Sequence, residues 1–219
     1  AKGHVFLVGA GPGDPGLFTL RMTTVLATAE VVLYDYLVHP NFRSYCSQYA
    51  DLICVGKKKG EHSTQQSQIN RMIFNFARQG KRVVRLKGGD PMIFGRGGEE
   101  AAELAEAGVK FEIVPGISST IAGPAYAGIP VTHRDHCSQL TIFTGHEDPT
   151  KGETSLDFEH LAKTPGTKVF VMGVSRLRGI CDEFIIPISF FDGSAAKMSV
   201  AVHELTVILP LYCSRFKET

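Results

Sequence analysis

The chain has 219 residues, 43% of them hydrophobic and 21% charged, with a formal net charge of +1. That is enough apolar material for one large domain or two small ones, and too little excess charge to drive binding to nucleic acid or an anionic membrane. The apolar run near the N-terminus is too short for a membrane span and lacks a signal peptide's long apolar region, and the five cysteines are scattered without a C-x-x-C, so a cytoplasmic protein with reduced thiols is expected.

The first half alternates short apolar runs with helical spacing. "HVFLVG" (4–9) reads as a buried strand, "LFTLRMTTVLATA" (17–29) as a helix, and "EVVLYD" and "DLICVG" as strands ending at Asp35 and Gly56. "STQQ" from Ser63 fits a capping box for a helix that stops at Gly80. "KRVVRLKG" is the next strand, followed by a helix "EEAAELAEAG" with acids in its first turn, a strand "VKFEIVPG" and a small-residue helix "ISSTIAGPAYAG". This alternation predicts a mostly parallel sheet with helices on both faces. After "IPVTHRDH" the pattern restarts with a strand, helix and strand ending in "KVFVMG", which places a domain boundary at 136/137. Beyond it, "EFIIPISFFDG" and "MSVAVHELTVILPLYC" have strand composition.

Two glycine-rich loops follow predicted strands, "GAGPGD" (9–14) and "GGDPMIFGRGGEE" (88–100). The first stands where a dinucleotide fingerprint would, and Asp35 stands where a ribose-binding acid would. Against that reading, the third fingerprint position is Asp14, which would repel a pyrophosphate, and Pro12 removes a backbone donor. No P-loop is present. Glycines let a ligand touch the backbone, and the acid Asp90 beside them suits a cationic or hydroxyl-rich ligand better than a phosphate. Two such loops at strand ends of one sheet point to a binding site rather than to turns alone. Two histidines three apart in "HRDH" (133–136) are weak evidence for a metal, and no metal is assigned.

The segments "VGAGPGDPGLFTL", "VVLYDYLV", "VGKKKGEHSTQQ", "RLKGGDPMIFGRGGEE", "VPGISSTIAGPAYAGIPVTHR" and "TGH", in this order, resemble the uroporphyrinogen-III C-methyltransferases of the tetrapyrrole methylase superfamily over residues 3 to about 178. The resemblance implies an α/β fold of two domains, 1–136 and 137–219, with the cofactor cleft between them. It implies methylation of uroporphyrinogen III at C2 and C7 to precorrin-2, with S-adenosylmethionine as donor and S-adenosylhomocysteine as product. Carried over, cofactor contacts fall on Pro12, Gly88, Gly89, Asp90, Ile93, Ser118, Ser119 and Met172. Met172 reads equally well as a core methionine ending a strand. The catalytic residues implied are Asp35 as proton acceptor, Lys57 as proton donor, and Arg96. Asp35 reads equally as a structural loop acid. Arginine stays protonated, so Arg96 is better taken as a clamp on a substrate carboxylate. Arg96, Glu99 and Arg134 are the substrate-binding residues expected, with Lys57, Lys58 and Lys59 as further cations. A homodimer is implied, without nucleic acid or membrane partners. After about Gly179 the family pattern fades, and no cofactor contact is carried over beyond it. That divergence keeps a non-catalytic tetrapyrrole- or cofactor-binding form, or a related precorrin methyltransferase, as alternatives.

Overall fold

The computed structural model describes residues 3–56, 66–135, 137–145 and 156–173, and the backbone of four short strands between 197 and 212. The chain divides into two compact units, Ala1–Ser118 and Ser119–Thr219.

The first unit is built on a five-stranded parallel sheet. Its strands are β1 (His4–Gly9), β2 (Val31–Tyr34), β3 (Asp51–Cys54), β4 (Arg82–Lys87) and β5 (Lys110–Val114), in the spatial order β3-β2-β4-β1-β5. Three helices of the unit are α1 (Leu20–Ala27), α2 (Gln66–Arg78) and α3 (Gly97–Glu106). Side chains alternate across the sheet with period two, and this sorts the apolar residues into two cores. Phe6, Val8, Val32, Val84 and Leu86 pack with Met22, Val25 and Leu26 of α1. Val5, Leu7, Val31, Leu33 and Val83 pack with Ile69 and Ile73 of α2 and Leu104 of α3. Burial on both faces is why these strands read as continuous apolar runs.

Local signals end the helices as expected. Gly80 has a φ of 83° and stops α2, with the Lys81 N–H donating to the Phe76 carbonyl at 3.2 Å. Ser63 of the expected capping box lies outside the described residues. The predicted first helix is split in two. Asp14 accepts from the Gly16 N–H and caps a 3-10 turn at Pro15–Leu17, and Thr19 then caps α1 through the Met22 N–H.

The second unit opens with α4 (Ser119–Tyr126), then β6 (Leu140–Thr144), α5 (Phe158–Lys163) and β7 (Thr167–Val171). The backbone strands β8 (Lys197–Met198), β9 (Ala201–His203), β10 (Thr206–Leu209) and β11 (Leu211–Tyr212) follow, so the strand reading of 198–213 is met along most of its length. A four-stranded sheet runs β6-β7-β10-β9, with β6 and β7 parallel and the other pairs antiparallel. The expected strand in "EFIIPISFFDG" lies outside the described residues. The sequence reading put the change of unit at 136/137. By packing, α4 goes with the second unit, because its neighbours are β7 and β10.

Candidate functional site

All five strands of the first unit run the same way, so their carboxyl ends share one edge, where open α/β sheets bind ligands. The loops leaving β1, β4 and β5 meet there through main-chain atoms. Gly11 and Gly89 exchange two hydrogen bonds, Gly11 N–H to the Gly89 carbonyl at 3.1 Å and the reverse at 2.7 Å. Asp90 joins the third loop. Its Oδ2 accepts from the Gly116 N–H at 3.0 Å and its Oδ1 from the Met92 N–H at 2.8 Å. Each Asp90 oxygen is therefore tied to a backbone N–H, which fixes the shape of the loop.

The close approach leaves no room for side chains. A Cβ on Gly116 would lie 2.7 Å from the Gly9 Cα, and one on Gly9 would lie 2.6 Å from the Gly116 Cα. Gly116→Ala should therefore push the loops apart, lowering the unfolding free energy by about 1–3 kcal/mol in urea titrations. A wild-type midpoint for that variant would mean the loops can separate without loss of packing. By contrast, a Cβ on Gly13 would meet nothing within 4 Å. The loops are thus tightly packed at Gly9 and Gly116 and open at Gly13.

Non-glycine residues with left-handed backbone fall in the loop after β4 and, in the second unit, just past β7. Among the described residues they are Phe94 (φ 50°), Arg96 (φ 58°) and Met172 (φ 57°). Such conformations are costly and cluster at functional sites. Arg96 precedes the first turn of α3 and forms a two-pronged pair with Glu99, Nη2 to Oε2 at 2.6 Å and Nε to Oε1 at 3.0 Å. That hydrogen bond holds the Glu99 carboxyl below its ordinary range.

Beneath this edge lies a group of charges. Leu33 of β2 is registered opposite Arg85 of β4, so the same face of the sheet carries Arg85, Lys87 and, two residues past Leu33, Asp35. Arg85 Nη2 lies 2.6 Å from Asp35 Oδ1. Arg85 Nε and Lys87 Nζ reach Glu100 Oε1 of α3 at 3.2 and 2.9 Å, and Gln66 Nε2 of α2 joins the same oxygen at 2.9 Å. The side chains of Arg85, Lys87 and Glu100 are 3%, 5% and 1% exposed, and Asp35 is 27% exposed at the open end. Burying ions costs several kcal/mol each unless they are paired and hydrogen-bonded. Here two cations face two anions. Burial, and then the neighbouring Arg85, push the Lys87 ammonium below its ordinary pKa, with Glu100 opposing the shift.

The first-unit residues expected in the site therefore gather at one edge. Pro12 follows Gly11 in the first loop. Gly88 packs beside Leu37, a Cβ at Gly88 falling 3.4 Å from the Leu37 Cβ. Ser118 is buried, and its Cα lies 3.9 Å from where a Cβ on Gly89 would stand. The Ile93 N–H contacts the Asp90 carbonyl at 3.4 Å, and the Ile93 side chain is exposed. Ser119, Arg134 and Met172 belong to the second unit. Arg134 is exposed on a turn, and Met172 is exposed just past β7. Lys57, Lys58, Lys59 and His136 lie outside the described residues.

Sequence reasoning missed Arg85, Lys87 and Glu100. The available signal was two cations spaced by two inside an otherwise apolar strand, which puts both on one buried face. Among the described residues no group of three or more His, Cys, Asp or Glu could hold a metal ion. Among them, too, no helix is long and apolar enough to cross a membrane.

Comparison with known proteins bears on what this edge does. Residues 4–197 match the family model for tetrapyrrole (corrin/porphyrin) methylases. The chain is 50% identical over 202 residues to an S-adenosyl-L-methionine-dependent uroporphyrinogen III methyltransferase of Methanosarcina barkeri, covering 92% of this chain and 77% of that protein. It is 51% identical to a siroheme synthase of Photorhabdus laumondii, but spans only 41% of that longer protein. Among solved structures, it is similar to the uroporphyrin-III C-methyl transferase of Thermus thermophilus complexed with S-adenosylhomocysteine, with a TM-score of 0.73 and 36% identity over 95% of this chain and 89% of that one. With a matched family model over most of its length, and a relative half identical across nearly all of it, the chain belongs to the tetrapyrrole methylase family.

Proposed function

We propose that this protein transfers methyl groups from S-adenosylmethionine to carbon atoms of uroporphyrinogen III, at C2 and C7, giving precorrin-2. The observation that carries the reading is the main-chain floor formed by the loops after β1, β4 and β5, with the Asp35 carboxylate beside it at the end of β2. The family resemblance implies that the protein works as a cytoplasmic homodimer, a stoichiometry that sedimentation equilibrium would read directly.

The residues present fit the donor. Gly13, where a Cβ would meet nothing within 4 Å, and Gly89, where the nearest atom would be the Ser118 Cα at 3.9 Å, can let a ligand come to main-chain distance. Asp14 and Asp90 accept from backbone N–H groups of the loops themselves. S-adenosylmethionine, when bound, supplies an electrophilic methyl group on a sulfonium centre. Pro12, Gly88, Gly89, Asp90, Ile93 and Ser118 are the first-unit residues assigned to hold it, with Ser119 and Met172 assigned from the second unit.

The protein's own part in the reaction is alignment and proton handling. A pyrrole carbon that gains a methyl group must be followed by loss of a proton from the ring. Asp35 is assigned to accept it; in support, one oxygen is paired with Arg85 and the side chain is part-exposed. Lys57, which follows Gly56 after β3, is assigned as proton donor. The substrate is a polycarboxylate, and Arg96 is the residue assigned to receive one of its carboxylates. Its pair with Glu99 is half-exposed, so exchanging Glu99 for a substrate carboxylate would cost little. Arg134 is assigned to a second carboxylate.

The test is mass spectrometry of the tetrapyrrole after anaerobic incubation of the purified chain with uroporphyrinogen III and S-adenosylmethionine. A gain of two methyl groups is expected. A gain of one would limit the chain to a single transfer, and no gain from a folded sample would replace catalysis with binding.

A further inference from the structure

We propose that Arg85 is a positioning residue: braced by Glu100, it fixes the Asp35 carboxylate at the end of β2 and acts on methyl transfer only through it. The inference rests on the reading of Asp35 as proton acceptor and adds how that group is held.

The guanidinium is anchored on every side that the sheet presents. Nε meets Glu100 Oε1 at 3.2 Å, Nη1 meets the carbonyls of Leu86 at 3.2 Å and Leu33 at 3.5 Å, and Nη2 meets Asp35 Oδ1 at 2.6 Å. A planar fork held at all three nitrogens has no freedom to turn, and it passes that rigidity to the carboxylate. Asp35 itself lacks such support. It is the residue just after β2, its backbone N–H is bound to the Leu86 carbonyl, and among the described residues no other side chain hydrogen-bonds its carboxylate. With one oxygen fixed, the other is left in a set direction at the open edge, which is what a proton acceptor needs.

A purely space-filling role does not account for the choice of residue. An apolar side chain of similar size would fill the same volume without the desolvation cost. Glu100 answers that cost from the helix side, and Lys87 shares its oxygen, so that Arg85 is not neutralised by Asp35 alone. The register explains the geometry: Arg85 pairs with Leu33, so its side chain runs along the sheet face toward the residue two positions further, Asp35.

The experiment compares four full-length proteins: wild type, Asp35→Asn, Arg85→Met and the double variant. Single-turnover methyl transfer to uroporphyrinogen III is followed by mass spectrometry, with thermal unfolding by circular dichroism and S-adenosylhomocysteine affinity measured alongside. Arg85→Met should slow transfer by about 10- to 100-fold, with the cofactor affinity changed less than about twofold. In the Asp35→Asn background the same substitution should change the rate by less than about twofold, although it lowers the melting temperature in both. An equal rate loss in both backgrounds would overturn the proposal, because Arg85 would then act through the fold alone. A fully active Asp35→Asn single variant would instead remove Asp35 as proton acceptor, a failure of the underlying reading that the cycle separates. Should Arg85→Met not fold, Arg85→Lys keeps the charge while losing the fork. It should slow transfer by about 3- to 10-fold, again only when Asp35 is present, and a wild-type rate for it would equally overturn the proposal.

Discussion

Asp35→Asn is expected to lower the rate of methyl transfer by about 10²- to 10⁴-fold while the protein still folds and still binds S-adenosylhomocysteine. Asparagine keeps the shape of the side chain, and its carbonyl oxygen can still accept from Arg85 Nη2. What it loses is the capacity to take a proton. The residue stands outside the main-chain floor, so donor affinity should hold while turnover falls. Stopped-flow or quenched single-turnover kinetics, with calorimetry for the product, separates the two. Loss of cofactor affinity together with turnover would place Asp35 in the floor instead, and unchanged turnover would leave the proton to another group.

Glu100→Gln should have the largest effect on stability, about 3–5 kcal/mol. Glu100 is the one anion of the group that is fully enclosed, and a single oxygen of it serves Arg85, Lys87 and Gln66. The amide keeps an acceptor but removes the charge, leaving two buried cations facing only the half-open Asp35. The loss should depend on pH in a defined sense. Lys87 has a folded pKa below its ordinary 10.5, so between those two values the unfolded chain binds more protons and stability rises with pH. Removing Glu100 takes away an interaction that raises the Lys87 pKa, which widens that window. Urea titrations of the variant should therefore show a penalty that shrinks as the pH climbs from the variant's Lys87 pKa to the wild type's, both below 10.5, and is constant above that. A midpoint equal to wild type at neutral pH would mean that the charges are hydrated rather than enclosed.

The fold of the first unit was largely readable because its signals are local. Apolar runs of strand length ending in glycine, and helical spacing between them, leave few arrangements other than a parallel sheet with two covered faces. The glycine loops were readable as a place of close approach. Their mutual stitching through Gly11, Gly89 and Gly116 was not, since hydrogen bonds between loops distant in sequence leave no periodic trace. Asp90 shows the limit most plainly. Its charge suggested attraction for a ligand, yet both oxygens are engaged by main-chain donors. Arg85 and Lys87 hid inside a strand that otherwise reads as core, and Glu100 read as a complement to the dipole of α3. The register of β2 against β4 is what brings Asp35 to the face that carries Arg85 and Lys87, and the packing of α3 brings Glu100 to them. The change of unit was harder, because small residues around Pro124 carry little periodic contrast.

The floor of this site is main chain, and that sets how the protein can change. Side-chain chemistry can drift without altering the main-chain bonds that stitch Gly11, Gly89 and Gly116 together, whereas any gain in volume at Gly9 or Gly116 forces the loops apart. Selection or engineering can therefore block this surface but cannot easily retune it. A change in which molecule is accepted would have to be written in the exposed side chains at its margin, such as Leu37, Met92 and Phe94.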